Sequence, residues 1–306
     1  MNLAGGAAGL VCAAAAFTNC GAVLTQSQVE TVQAFSDAAT PYPDVPKGAV
    51  EAYAALHLAS SMLSAATALP ADAVLGLNRF ETALVHNTGA RAKAKELATG
   101  LDMLRQYARG LGKLSSDAVL DSLDTAAASV GTAIDGSIDA YNTVAMPNKN
   151  VSTFGSNAAA LVRVAGGLVV RHKQATYLRR FVANGAPVFK RVVDSTRDLL
   201  LELYNPSSRA GRLVVEKDAL EHDYSSYANL RAANLSAADV ALFASALRDE
   251  IADEELVRSA LRATDVLEIA HAELAASLSP EACACHTMEM IDALVKEVQA
   301  GLRLQK

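Results

Sequence analysis

The sequence predicts an all-α protein, an elongated bundle of long amphipathic helices. Hydrophobic residues make up 51% of the chain, and Ala and Leu, the strongest helix formers, supply most of them. Residues 71–146 and 207–279 contain no proline, and apolar residues recur there every three or four positions. We find no alternation typical of strands and no internal repeat. If the bundle at 25–306 divides into two halves, the boundary is expected at 146–155.

Polar residues that can cap a helix predict where several helices begin. Thr25 and Gln28 have the spacing of a capping box, in which each side chain bonds to the backbone of the other residue. Ser236 opens a second such box, and Ser116 can cap the helix that starts at Asp117. These positions divide the chain into long helical segments.

Proline and glycine predict where helices stop. The first helix should end near residue 39, because three prolines within 41–46 favour an extended loop at 40–46. Gly89 and the segment 110–112 are the expected breaks in the region that follows. Ser279 with Pro280 predicts the start of the last helix.

The stretch 156–203 is apolar along one face and basic along the other. Its apolar residues follow helical spacing on both sides of Pro187. Because proline lacks the backbone N–H and Asn184–Gly185 tolerates left-handed dihedrals, we expect a stop and restart, or a kink, at 184–187.

The basic face of this stretch is the predicted partner-binding surface. A solvated outer face is the simpler interpretation, supported by helix pairs such as Lys190 with Asp194. The alternative is a dock for an acidic partner, which could be another segment, a second protein or anionic lipid. Another segment is favoured because 216–255 holds ten acids against three bases. The candidate binding residues are Arg163, Arg171, Lys173, Arg179, Arg180, Lys190 and Arg191.

Residues 1–24 form an apolar segment without any charged side chain. A lipoprotein signal, a cleaved export signal and an Ala-rich structural helix remain open. Export signals start with basic residues, which are missing here, and polar residues dilute the segment too much for a membrane-spanning helix. Lipoprotein signals end in small residues before a cysteine that becomes lipidated. Cys20 is the candidate, although Asn19 replaces the usual small residue, and Cys12 fits less well.

Residues able to bind a metal are few and scattered. Cys283, Cys285 and His286 lie close in sequence, but not with the spacing of a zinc knuckle. Glu268 and His271 have the i, i+3 spacing of one half of a di-iron site, and a second half is missing. Surface solvation is the default expectation for His222, which lies between Glu221 and Asp223, and no catalytic residues or cofactor are predicted.

The order of elements resembles that of a group of bacterial predicted lipoproteins of unassigned role. In that group a cysteine precedes a short Thr-Gln capping segment, a proline-broken loop and long helices. The corresponding residues here are Cys20–Val29, Tyr42–Leu58 and Arg171–Arg180. The resemblance implies an address in the cell envelope rather than a chemistry. It also implies sorting to the outer membrane, because Gly21 follows Cys20.

These observations favour a lipid-anchored or periplasmic helical binding or scaffold protein without enzymatic activity, which acts on a protein partner. One alternative is a membrane-active protein that inserts 1–24 and sets its basic face on anionic lipid. The other is a metal-dependent enzyme that uses Glu268, His271, Cys283 and His286. The net charge of −6 excludes a general nucleic-acid binder. A cytoplasmic location stays open, and the oligomeric state is undefined.

Overall fold

The computed structural model describes residues 23–67, 73–144, 150–156, 170–204, 212–230, 236–279 and 285–305. Throughout these ranges the ordered elements are helices, which confirms the predicted all-α class. None of the described helices is long and apolar enough to cross a bilayer. The helices are α1 (Gln26–Ala39), α2 (Asp44–Thr67), α3 (Ala73–Ser115), a 3-10 helix (Asp117–Ser122), α4 (Leu123–Val144), α5 (Val170–Leu203), α6 (Arg212–Leu230), α7 (Ala237–Ser277) and α8 (Cys285–Leu304).

Two long helices organise the packing. Helix α3 has 43 residues and α7 has 41, so each is roughly 60 Å long at the usual rise per residue. Helix α3 packs against α1, α2, α4 and α5, and α7 packs against α1, α2, α5, α6 and α8. The core between them is formed by apolar residues from every one of these neighbours.

The predicted capping box at the start of α1 is confirmed. The Thr25 hydroxyl accepts from the Gln28 backbone N–H at 3.2 Å, and the Thr25 N–H donates to Gln28 Oε1 at 3.0 Å. Ser116 also caps as expected, accepting from the Ala118 N–H at 3.2 Å. It opens a 3-10 helix, however, and the α-helix begins only at Leu123.

The expected stop at 184–187 is wrong, because α5 continues through Pro187. Pro187 and Ala183 are both exposed, so water can bond to the carbonyl that the missing N–H leaves free. The residues around them face inward: Val182, Val188 and Phe189 are buried. Tertiary packing along this face outweighs the local cost of proline.

The expected extended loop at 40–46 is also wrong, because its last three residues belong to a helix. Helix α2 begins at Asp44, so Pro46 lies in its first turn, where a backbone N–H would have no helical partner. The turn before it is closed by the Asp44 N–H, which donates to the Pro41 carbonyl at 3.1 Å.

The expected breaks at Gly89 and 110–112 are absent, since α3 runs through both. Gly110 instead permits close packing of α3 on α4: an added Cβ would lie 2.6 Å from Val130 Cγ1. In a sequence, a glycine that allows two helices to pack closely cannot be told from a glycine that ends a helix.

The connecting segment at 150–156 is bonded to α4. Asn142 accepts from the Val151 N–H and donates to the Val151 carbonyl, both at 2.8 Å. The Asp135 carboxylate accepts three successive N–H groups, from Phe154, Gly155 and Ser156, at 2.7–3.0 Å. Hydrogen bonds to an ionised carboxylate are stronger than those between neutral groups, so Asp135 ties 154–156 to α4.

Two glycines of α4 provide a matched test of the contact between α4 and the segment 150–156. A Cβ at Gly131 would lie 2.5 Å from the Gly155 carbonyl oxygen, whereas a Cβ at Gly136 would meet nothing within 4 Å. We expect Gly131→Ala to destabilise the protein by about 1–3 kcal/mol, because the backbone at Gly155 would have to move away from the added methyl group. Gly136→Ala should stabilise it by about 0.5–1 kcal/mol. Urea unfolding measures both, and equal effects of the two variants would contradict the described contact.

Candidate binding surface

The first part of the predicted basic face pairs with acids of the neighbouring helices. Arg171 Nη2 lies 3.2 Å from Asp117 Oδ1, and Lys173 Nζ lies 3.4 Å from Asp124 Oδ2. The two acids belong to the 3-10 helix and to the first turn of α4. These two cations therefore join α5 to the region before and within α4.

Arg179 contributes to the C-terminal cap of α7. Its Nε donates to the Leu278 carbonyl at 2.7 Å, and burial lowers the pKa of its guanidinium. Gln28 completes the cap: its Nε2 donates to the carbonyls of Ser277 at 2.6 Å and Ser279 at 3.1 Å. A cation and a donor beside the last carbonyls satisfy groups that the helix leaves unbonded.

The later cations form an ion-pair network with α7. Lys190 Nζ lies 3.1 Å from Asp194 Oδ1 and 3.0 Å from Glu268 Oε1. Arg197 bridges Asp265 at 2.8 Å and Glu268 at 2.5 Å, and it also contacts Asp194 at 3.3 Å. Hydrogen bonds from Lys190 and Arg197 lower the pKa of Glu268. Such a network aligns two helices even where each exposed pair contributes little.

Other members of the predicted surface are placed differently. Arg180 is half-buried and Arg191 is exposed, while Arg163 lies outside the described residues. In the ion pairs given above, the acids that meet the basic face belong to this chain and lie outside 216–255, where the sequence has its acidic excess. They are Asp117, Asp124, Asp194, Asp265 and Glu268.

A histidine lies in the centre of the bundle. His271 of α7 is only 4% exposed, and its Nε2 forms a 2.8 Å hydrogen bond with the hydroxyl of Tyr107 from α3. Burial lowers the pKa of His271 to about 4 and raises the pKa of Tyr107. His271, which the sequence offered only as a candidate metal ligand, therefore faces the core.

Aromatic rings enclose this pair. Phe189 of α5 stacks on His271 with ring centroids 3.9 Å apart, and Phe35 of α1 lies 5.8 Å away. Phe154 packs edge-on against Tyr107 at 6.4 Å. Rings from α1, α3 and α5 thus meet at His271 of α7, and Phe154 from 150–156 packs against Tyr107. We call these five side chains the histidine junction.

Gly185 makes room for the histidine junction. A Cβ at this position would lie 2.6 Å from Tyr107 Cε2 and 3.0 Å from Phe154 Cζ. The glycine that the sequence marked as a break is therefore the point where α5 approaches two aromatic rings. The spacing of His271 from Leu267 and Leu274 signals the same core face, since residues three and four apart share one side of a helix.

A slot of about 190 Å³ opens to solvent between α3 and α5. Its floor is mainly apolar and buried, and consists of Leu97, Gly100, Tyr141, Val192 and Leu199. Its rim is polar and consists of Lys93, Glu96, Ser195, Asp198 and Glu202. The slot is not visible in the sequence, because its two sides lie about 100 residues apart in the chain.

Glu202 is held by two cations at one end of the slot. Lys93 Nζ lies 3.4 Å from each of its carboxylate oxygens, and Arg212 of α6 donates to Oε1. The charge of Glu202 is thereby neutralised within the molecule. Asp198 lies on the same rim and is exposed.

The residues of the predicted metal site do not come together where the structure describes them. Glu268 bonds to Lys190 and Arg197, whereas His271 bonds to Tyr107 in the interior. His286 is exposed, with its Nδ1 3.3 Å from Glu289 Oε2. Cys283 and the lipidation candidate Cys20 lie outside the described residues. Across the described ranges, no group of three or more His, Cys, Asp or Glu side chains could hold a metal ion.

Comparisons with known proteins give no relative: no family model, no curated protein and no solved structure matches this chain.

Burial of His271 predicts a specific dependence of stability on pH. Its pKa is about 4 in the folded protein and 6.5 in its ordinary state, so the unfolded chain takes up a proton first as the pH falls. The stability that neutral His271 contributes is complete above pH 6.5 and is lost as the pH falls towards 4. Over that window the loss should reach about 3 kcal/mol.

His271→Phe should remove this pH dependence while keeping the stacked ring. The variant leaves the Tyr107 hydroxyl without its partner, so it should cost about 1–3 kcal/mol at pH 7.5. Urea unfolding at half-unit pH steps measures both effects. The control is His222→Phe, since His222 is exposed on α6. An unchanged pH slope in His271→Phe, with the control also unchanged, would show that His271 is solvated.

Proposed function

We propose that this chain is a helical binding protein without catalytic activity, anchored by a lipid on Cys20 at the periplasmic side of the outer membrane. It holds a protein partner on the surface of its long helices. The observation that carries the proposal is the division of polar groups between interior and surface. A buried titratable pair, Tyr107 and His271, is enclosed by aromatic rings, while the slot between α3 and α5 faces solvent.

This division supports binding rather than reaction. A general acid or base must reach a substrate atom within hydrogen-bond distance. The bonding atom of His271 is already engaged by Tyr107 at 2.8 Å, inside the core. Concave surfaces between helices of a bundle are ordinary places for a ligand or partner.

The cations of α5 narrow down where a partner would bind. Arg171, Lys173, Lys190 and Arg197 are engaged by acids of neighbouring helices. An acidic partner would have to displace these pairs. The slot rim offers the exposed carboxylate of Asp198 instead, so we place the partner at the slot and not on the basic face.

The anchoring part of the proposal rests on the sequence around Cys20 and on its resemblance to predicted lipoproteins. We expect cells that express the chain and are fed an alkyne analogue of palmitate to label it. Cys20→Ala should abolish the label, and Cys12→Ala should keep it, because Cys12, with Val11 before it, fits the lipoprotein signal less well. A wild-type chain without label would rule out lipid anchoring.

The binding part is tested by site-specific crosslinking in living cells. A photo-crosslinking amino acid at Ser195, on the slot rim, should yield a discrete adduct with a second protein. The same amino acid at Asp292, exposed on α8, serves as the matched control and should yield none. Failure to crosslink at Ser195 and at every other exposed position of α3 and α5 would refute a partner on this surface.

A further inference from the structure

We infer that the slot between α3 and α5 accepts a lysine side chain of the protein partner, with the aliphatic stem on the slot floor and the ammonium group at Asp198. The inference rests on the proposed binding function and specifies the chemistry that the slot would recognise. It follows from the volume of the slot, from the arrangement of its lining and from its charge.

The volume sets the size of the occupant. Pockets for drug-sized ligands and cofactors span about 300–1,000 Å³, and the slot measures about 190 Å³. It is therefore too small for a typical cofactor. It is large enough for one long side chain, since water occupies roughly 30 Å³ per molecule in the liquid.

The lining sets the shape of the occupant. Leu97, Val192 and Leu199 give the floor an apolar surface. Gly100 lets Tyr141 and Val192 pack closely beside it, since an added Cβ would lie 3.3 Å from each of them. Burying a straight aliphatic stem on such a floor is favourable, because it removes apolar surface from water. Lysine side chains bury their methylene groups in this way while the charged end stays at a wet rim.

The charge sets the head group of the occupant. The lining has three carboxylates, on Glu96, Asp198 and Glu202, against one cation, Lys93. Lys93 and Arg212 lie against Glu202, whereas the Asp198 carboxylate is exposed to solvent. A cation is therefore favoured at Asp198.

The cation is an ammonium group rather than a metal ion. Over the described residues no three ligand side chains converge to hold a metal. An ammonium group needs only hydrogen-bond acceptors, and the rim supplies the Asp198 carboxylate and the Ser195 hydroxyl.

The probe for this inference is N-acetyl-lysine methylamide, titrated into the isotope-labelled full chain. We expect backbone amide shifts at Ser195, Thr196 and Asp198 with a Kd on the order of millimolar, since one side chain offers few contacts. N-acetyl-norleucine methylamide, which has the same stem without the amine, should bind at least about tenfold more weakly. Equal shifts with the two probes would overturn the inference.

Variants of the chain provide the second arm. Asp198→Asn keeps the shape of the rim and should weaken binding of the lysine probe about fivefold, whereas Asp292→Asn, with the same change in net charge, should leave binding unaltered. An unchanged Kd in a folded Asp198→Asn variant would also overturn the inference. If the lysine probe fails while the crosslink at Ser195 persists, the protein binds a partner through other chemistry. Loss of both would remove the binding function itself.

Discussion

The hydrogen bond between Tyr107 and His271 lies where most of the bundle meets. It joins the two longest helices, α3 and α7, and the ring of Phe189 brings α5 onto the same point. A neutral imidazole in an apolar site needs a partner for its ring nitrogen, or the buried polar atom costs about as much as a lost hydrogen bond. The requirement to satisfy that atom fixes the relative positions of the helices.

The surface follows from how these helices are fixed. Once α5 lies against α7, Arg197 and Lys190 reach Asp265 and Glu268, and Arg179 reaches the end of α7 at Leu278. Most of these basic-face residues thus form contacts between helices. The opposite flank of α5 faces α3 across the slot, where the Asp198 carboxylate is exposed to a partner.

Much of the fold could be predicted from local rules. The all-α class followed from Ala- and Leu-rich, proline-poor segments, and the capping box at Thr25 followed from a three-residue spacing. Both depend on interactions close in sequence, which a sequence displays directly. The end of the first helix near residue 39 was correct, whereas the extended loop up to residue 46 and the helix stop at Pro187 were wrong. Tertiary packing decides whether a local breaker interrupts a helix.

The candidate site was less predictable, because its contacts are distant in sequence. The slot joins Glu96 to Asp198 and the histidine junction joins Tyr107 to His271, and nothing in the local sequence links these partners. The glycines show the same dependence on distant contacts. Gly110 and Gly185 were expected to interrupt helices, and they are instead positions where helices pack closely. Cys20 lies outside the described residues, so its lipidation stays a prediction. The resemblance to predicted lipoproteins also stays a prediction, because no contact in the structure tests it.

Native-state hydrogen exchange tests most directly whether the histidine junction holds the bundle together. Backbone amides that flank it in α5 and α7, around Phe189 and His271, should exchange only through global unfolding and show the highest protection in the chain. Amides of α6, which contacts chiefly α2, should exchange faster. Protection around His271 that is equal to or lower than that of α6 would contradict the account.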